Sequence, residues 1–233
     1  MAGPTAAGDS PFGSLSLEHS STVDRVAGEL RRALFDGELE PGTPLREIAL
    51  AEAIGVSRST VREALGLLVN EGVATREPNR GVFVTELDPD SVRDVCRSRA
   101  VLEIAGVRRW ATASEAARDA VRRALVDFTV AAQSDASRAE LTAAHLGIHR
   151  SLVGLTESQR LMSLADALSA EVRLGLAKVD RIRRNSTDQV ASHRALLNLL
   201  ERGDTEAAAT ELQHHLEHAE TSMLDALHLP HST

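Results

Sequence analysis

Tyrosine is absent from the 233 residues, and one Trp with four Phe brings aromatics to only 2%. A core must therefore be built from aliphatic side chains, and the abundance of Ala, Leu, Arg and Glu favours helices packed through them. The single Cys96 excludes an intramolecular disulfide framework and fits a reducing compartment. No run of 18 apolar residues occurs, and the first residues lack the basic, apolar, small-residue order of a secretory signal. A soluble, cytoplasmic protein with no membrane partner is the expectation. A surplus of positive charge is missing as well: the formal net charge is −8, so general attraction to phosphate is not a property of the whole surface.

What is present is ordered along the chain. Hydrophobic residues make up 42%, enough for two modest domains. Residues 1–20, with Gly3, Pro4, Gly8, Pro11 and Gly13 among Ala and Ser, read as a disordered tail. Val23, Val26, Leu30 and Leu34 mark an amphipathic helix from Thr22 to Phe35, closed by Asp36-Gly37 and followed by a Pro41-Gly42 turn.

The stretch LAEAIGVSRSTVREALGLLVNEG, residues 50–72, has the layout of a helix-turn-helix. Leu50, Ala53 and Ile54 repeat at the spacing of one buried face, Gly55 supplies a turn, and Ser57 caps a second helix with Val61, Leu65 and Leu68 along its apolar stripe. Ser57, Arg58, Ser59, Thr60 and Arg62 fall at its N-terminal end, the end that enters a major groove, and are expected to meet DNA. Two short strands, Val73 to Arg76 and Val82 to Thr85, flank Pro78-Asn79-Arg80-Gly81 and complete a winged helix over 21–87. Arginines lie on the second helix and the hairpin, acids before them, so local charge supports DNA binding where global charge does not.

Asp88-Pro89-Asp90 reads as a linker, 88–90, to an antiparallel bundle of about six helices over 91–228, with 229–233 frayed. The fold class is thus mainly α, a winged helix followed by a helical bundle. Within the bundle His145 and His149 are one helical turn apart, in line with Leu141, Ile148 and Leu152. His193 falls with Val190, Leu197 and Leu200, and His215 with Ala208, Leu212 and Ala219. Three helices each direct imidazole inward, where one shared metal, zinc or nickel by ring type, would satisfy several polar rings; separately hydrogen-bonded histidines are the alternative. Two Glu-x-x-His motifs would be needed for a di-iron enzyme, and only Glu211 with His214 fits, so a helical-bundle metalloenzyme is disfavoured and no catalytic residue is expected.

Together these residues resemble the GntR family of bacterial transcription regulators, in the FadR-like subfamily with a helical FCD effector domain. Carrying the resemblance are Leu45-Arg46-Glu47, LAEAIGVSRSTVREAL and Asn79-Arg80-Gly81-Val82-Phe83-Val84, then Arg99-Ala100-Val101-Leu102-Glu103, His149, Ser192-His193 and Gly203-Asp204 with His215-Leu216. The resemblance implies DNA contact by Arg46, Arg58, Ser59 and Arg62, with the Arg80-Gly81 wing tip approaching the minor groove. It also implies a metal held by an Asp and three histidines, the latter matching His149, His193 and His215; His145 stands at the Asp position. Small organic acids are the effector class it implies, with Arg99 and then Arg173 as candidates to hold a carboxylate. Arg99 has a second reading as an i, i+4 ion pair with Glu103. The expected function is a homodimeric regulator reading a pseudo-palindromic operator under control of such a ligand; direct metal sensing is the alternative.

Overall fold

The computed structural model describes residues 21–86, 88–176 and 186–228. The expected tails, 1–20 and 229–233, lie outside the described residues. The first helix, α1 (Thr22–Phe35), starts at a capping box in which Ser21 and Asp24 satisfy each other's backbone N–H groups. Val26, Ala27, Leu30 and Leu34 are its buried face.

Helix α2 (Glu47–Ile54) ends at Gly55, whose φ of 76° gives the left-handed turn between the two motif helices. Its buried face differs from the expected one: Ala51 is buried and Leu50 half-buried, while Ala53 and Ile54 are exposed. An eight-residue helix touches α3 along one narrow edge, and the small Ala51 lets the two come close. Helix α3 (Arg58–Asn70) opens at Ser57, whose hydroxyl accepts from the Thr60 N–H, and buries Val61, Ala64, Leu65 and Leu68.

Strands β1 (Ala74–Glu77) and β2 (Gly81–Val84) pair antiparallel, Ala74 opposite Val84 and Glu77 opposite Gly81. Each lies one residue from its expected span, because pairing closes tightly around Pro78-Asn79-Arg80 with Asn79 at a φ of 62°. The chain before α2 adds to the wing: Leu45 donates its N–H to Val82 and Pro44 bridges Phe83, tying Arg46 to the hairpin.

Six helices follow among the described residues: α4 (Pro89–Val107), α5 (Glu115–Gln133), α6 (Arg138–Gly154), α7 (Gln159–Leu176), α8 (Ser186–Glu201) and α9 (Thr205–His228). The expected linker at 88–90 is instead the start of α4. Asp88 accepts from the N–H groups of Asp90 and Ser91, and Pro89 stands in the first turn, where its missing N–H costs nothing. Helices α4 and α6 cross at Gly106, where an added Cβ would collide with the Leu152 carbonyl oxygen. That approach fixes α6 against α4. Trp110 is buried with Leu152, Leu155, Leu200 and Leu212 in the bundle core.

Helix α7 belongs to both halves. Leu168 packs with Val92, Val95 and Leu146 in the bundle, whereas Leu174 and Ala170 pack into the winged-helix core with Leu34, Leu65 and Leu68.

Candidate metal centre and nucleic-acid interface

The N-terminal turn of α3 is built for exposure. Arg58, Ser59 and Arg62 are exposed because Val61, Ala64, Leu65 and Leu68 occupy the inward face. The Ser57 hydroxyl lies 2.8 Å from both the Ser59 and Thr60 hydroxyls, which orders this turn. Arg46 is exposed at the start of α2. Between that start and the wing lies a cleft of about 340 Å³, bordered by Arg46, Glu47, Arg76, Arg80 and Phe83. Arg80 pairs with Glu77 and lies over the Phe83 ring, 5.2 Å from its centroid, beside the exposed Gly81. Arg62 makes a two-pronged pair with Glu47, Nε to Oε1 at 2.9 Å and Nη2 to Oε2 at 2.7 Å. Arg46, Arg58 and Arg76 have no ion pair among the described residues. One face therefore gathers the hydroxyls and guanidinium groups that phosphates and base edges accept from.

In the bundle, α6, α8 and α9 bring His145, His149, His193 and His215 together, and four ring nitrogens, one from each, lie within 4.8 Å of one another. Nε2 of His149 is 3.3 Å from Nε2 of His145 and 3.3 Å from Nε2 of His193. The outer nitrogens determine what these inner ones carry. His193 Nδ1 lies 2.7 Å from the Gln189 carbonyl, which only accepts, so its proton sits on Nδ1 and a neutral ring has a bare Nε2. His149 Nδ1 lies 2.7 Å from Glu103 Oε2, and Arg99 donates from Nε to Glu103 Oε1 at 2.9 Å. Burial pushes the Glu103 carboxyl up and the Arg99 guanidinium pulls it back; with both oxygens engaged by donors, an ionised carboxylate is supported in the interior.

Burial drives His145 and His149 well below the ordinary imidazole value, moves His193 the same way, and takes His215 down to about 3. The rings are neutral at pH 7. The bare Nε2 atoms of His149 and His193, 3.3 Å apart, repel each other unless a cation lies between them. His145 Nδ1 is buried with no hydrogen-bond partner among the described residues.

The sequence matches the family described as bacterial regulatory proteins, gntR family, over residues 22–84, and the FCD domain over residues 94–218. The Nta operon transcriptional regulator of Aminobacter aminovorans is 32% identical over 181 residues, covering 76% of this chain and 83% of that protein. This chain belongs to the GntR family. A probable D-xylose utilization operon transcriptional repressor from Paenarthrobacter nicotinovorans is 28% identical, with 86% and 88% of the two chains covered. A crystal structure described as a putative transcriptional regulator GntR from Rhodococcus sp. RHA1 aligns with a TM-score of 0.77 at 32% identity, over 89% of this chain and 99% of that one. The protein is thus a transcriptional regulator with an FCD effector domain, and its relatives are regulators rather than enzymes.

In this GntR-family chain the four sequence-predicted histidines converge, and the eight residues assigned to DNA lie on the winged helix. Arg99 forms the i, i+4 pair with Glu103 and lies against the cluster; its Nη2 is buried and has no partner among the described residues. A small cavity of about 10 Å³, room for one water, is lined by Arg99, Glu103, His149, Leu168 and Ser169. Arg173 is not brought to this cluster. Its guanidinium lies 3.9 Å from the centroid of Phe35, against the winged helix, so the expected carboxylate role has no support from its position. The reason is register: α7 turns Leu168 and Ser169 toward the bundle and its last turn toward α1. Glu103 and Glu47 are the residues that sequence reasoning passed over as functional. Glu103 was visible as the i, i+4 partner of Arg99, but its contact with His149 depends on the α4–α6 crossing.

Proposed function

We propose that this GntR-family regulator binds a pseudo-palindromic operator as a homodimer and that a divalent ion at His145, His149, His193 and His215, with a small organic acid, modulates that binding. The convergence of four neutral imidazoles, three of them buried and His215 half-buried, carries the reading. The donor set fits a metal on observations that hydrogen bonding alone leaves unexplained. The bare Nε2 atoms of His149 and His193 face each other at 3.3 Å, and nitrogens around a tetrahedral zinc stand about 3.3 Å apart for bonds of about 2.0–2.1 Å. The Gln189 carbonyl and Glu103 hold the outer nitrogens of two rings, the arrangement that orients metal-ligating histidines. Imidazole favours zinc or nickel over magnesium or calcium.

When bound, the ion would supply a positive centre able to attract a carboxylate. Beside it, Arg99 Nη2, without a partner among the described residues, offers a donor to the same group. On the DNA face, Ser57, Arg58, Ser59, Thr60 and Arg62 read the major groove, Arg46 takes backbone phosphate and Arg80-Gly81 reaches the minor groove. Repression is the mode named for the Paenarthrobacter relative, and it suits a protein released from its operator by a metabolite. Such a protein works in the cytoplasm. No described helix is long and apolar enough to cross a membrane.

A second reading, in which the ion itself is the signal, is favoured by the four-imidazole set, which completes a tetrahedral shell and leaves no open position. Thermal shift separates the two. Zinc or nickel alone is expected to raise the melting temperature of chelator-stripped protein, and organic acids to raise it further only with metal present. A metal effect without any acid effect selects direct metal sensing. No response to either ion removes the metal from the account.

A further inference from the structure

Glu47 sits in the middle of the basic face. It opens α2 beside Arg46, borders the cleft that Arg76 and Arg80 also border, and lies beneath Arg62 of the recognition helix. Its carboxylate takes both prongs of the Arg62 fork, at 2.9 Å and 2.7 Å, the geometry that a phosphate or a guanine edge would otherwise occupy. Arg62 is 57% exposed and Glu47 only 23%, so the acid is the fixed member and the arginine the presented one. Arg58, on the same helix, carries no such pair among the described residues. The carboxylate is held in its ionised form by Arg62 first, then by Arg58 and Arg76.

We propose that Glu47 is a positioning residue for DNA recognition: it holds Arg62 in one orientation and occupies its fork, so that phosphate alone gains little and a correctly placed base edge or phosphate displaces it. The inference rests on the DNA-reading role proposed above for Arg62. Two consequences follow from charge and geometry. Any sequence must compete with an intramolecular anion before using Arg62, which weakens non-specific binding. A pre-aimed guanidinium also loses less freedom on reaching its target, which favours the operator.

The test uses the full-length protein, a duplex selected by the parent protein from random sequence, and a scrambled duplex of equal length, over a salt series. Glu47→Gln keeps the shape and removes the anion. It is expected to tighten scrambled-duplex binding about three-fold or more, steepen the salt slope by about one, and narrow the ratio between selected and scrambled affinities. Arg62→Lys, which keeps the charge and loses the fork, is expected to narrow the ratio with the salt slope unchanged. In an Arg62→Ala background, Glu47→Gln is expected to leave the ratio unmoved. An unchanged ratio in Glu47→Gln alone overturns the proposal, as does an equal narrowing with and without Arg62. If Arg62→Ala binds the selected duplex as tightly as the parent, the recognition-helix assignment itself fails, a result distinct from the others. Should Glu47→Gln lose its cooperative melt, the Arg62→Lys ratio decides.

Discussion

Single residues set the geometry of the cluster from outside it. Glu103 is buried between Arg99 and His149, so Glu103→Gln keeps the volume but weakens the hold on both neighbours. Zinc affinity measured by competition with a chromophoric chelator is expected to fall about ten- to one-hundred-fold, and an unchanged affinity would remove Glu103 from the site. Gly106 acts through space: a side chain there meets the Leu152 carbonyl, and three residues earlier on the same helix stands Glu103. Gly106→Val is expected to cost about 1–3 kcal/mol or more in denaturant unfolding, as α4 and α6 are forced apart.

Protonation gives the four clustered histidines a pH signature. The imidazole values are lowered in the folded state, so the unfolded chain binds more protons between the ordinary value and the folded one. Metal-free protein should be most stable above about pH 6.5 and lose stability as pH falls toward the value near 3 for His215. Urea unfolding midpoints across this range check it. A midpoint indifferent to pH below 6.5 would mean that the rings are not buried as neutral groups.

At the scale of elements, α7 joins the cluster to the winged helix. Leu168 and Ser169 border the small cavity beside His149, and one to two turns on, Leu174 is buried with Leu34 and Leu65 while Arg173 lies over Phe35. Arg173 Nε is buried without a hydrogen-bond partner among the described residues, and the Phe35 ring face is its observed neighbour. Leu174→Ala is expected to cost about 2–5 kcal/mol, and to lower the melting temperature of the winged helix along with that of the bundle. Two separated transitions in the parent by calorimetry would contradict this shared packing.

The elements themselves were largely legible. Helix α3 follows from the Val61, Leu65 and Leu68 spacing, and the imidazole faces from His145 with His149, because helical periodicity is local. What was not legible depends on tertiary register. The stripe of α2 shifted to Ala51, Asp88-Pro89 became a cap rather than a linker, and Arg173 turned to Phe35, each because a packing partner distant in sequence chose the face. Convergence of three helices on one point could be guessed from inward-facing histidines, and the Gln189 carbonyl is a local partner of His193 four residues on in α8, but Glu103 as the outer partner of His149 appears only once α4 and α6 are assembled.

Across the whole molecule, a net charge of −8 coexists with a face where Arg46, Arg58, Arg62, Arg76 and Arg80 gather. Association with DNA is therefore oriented: the acidic remainder is repelled while the winged helix is drawn in, and binding should weaken steeply with salt. Helix α7, packed into both the bundle and the winged-helix core, is the physical link through which the proposed metal centre would act on that face.

The most direct test is operator affinity by fluorescence anisotropy, on chelator-stripped protein before and after zinc is added to one equivalent, at fixed salt and pH. Uptake of one ion per chain is expected, with a change in dissociation constant that follows uptake and is absent in His149→Ala. Superimposable binding curves, with the ion demonstrably taken up by the parent, would show that the four-histidine centre does not control the DNA-binding face.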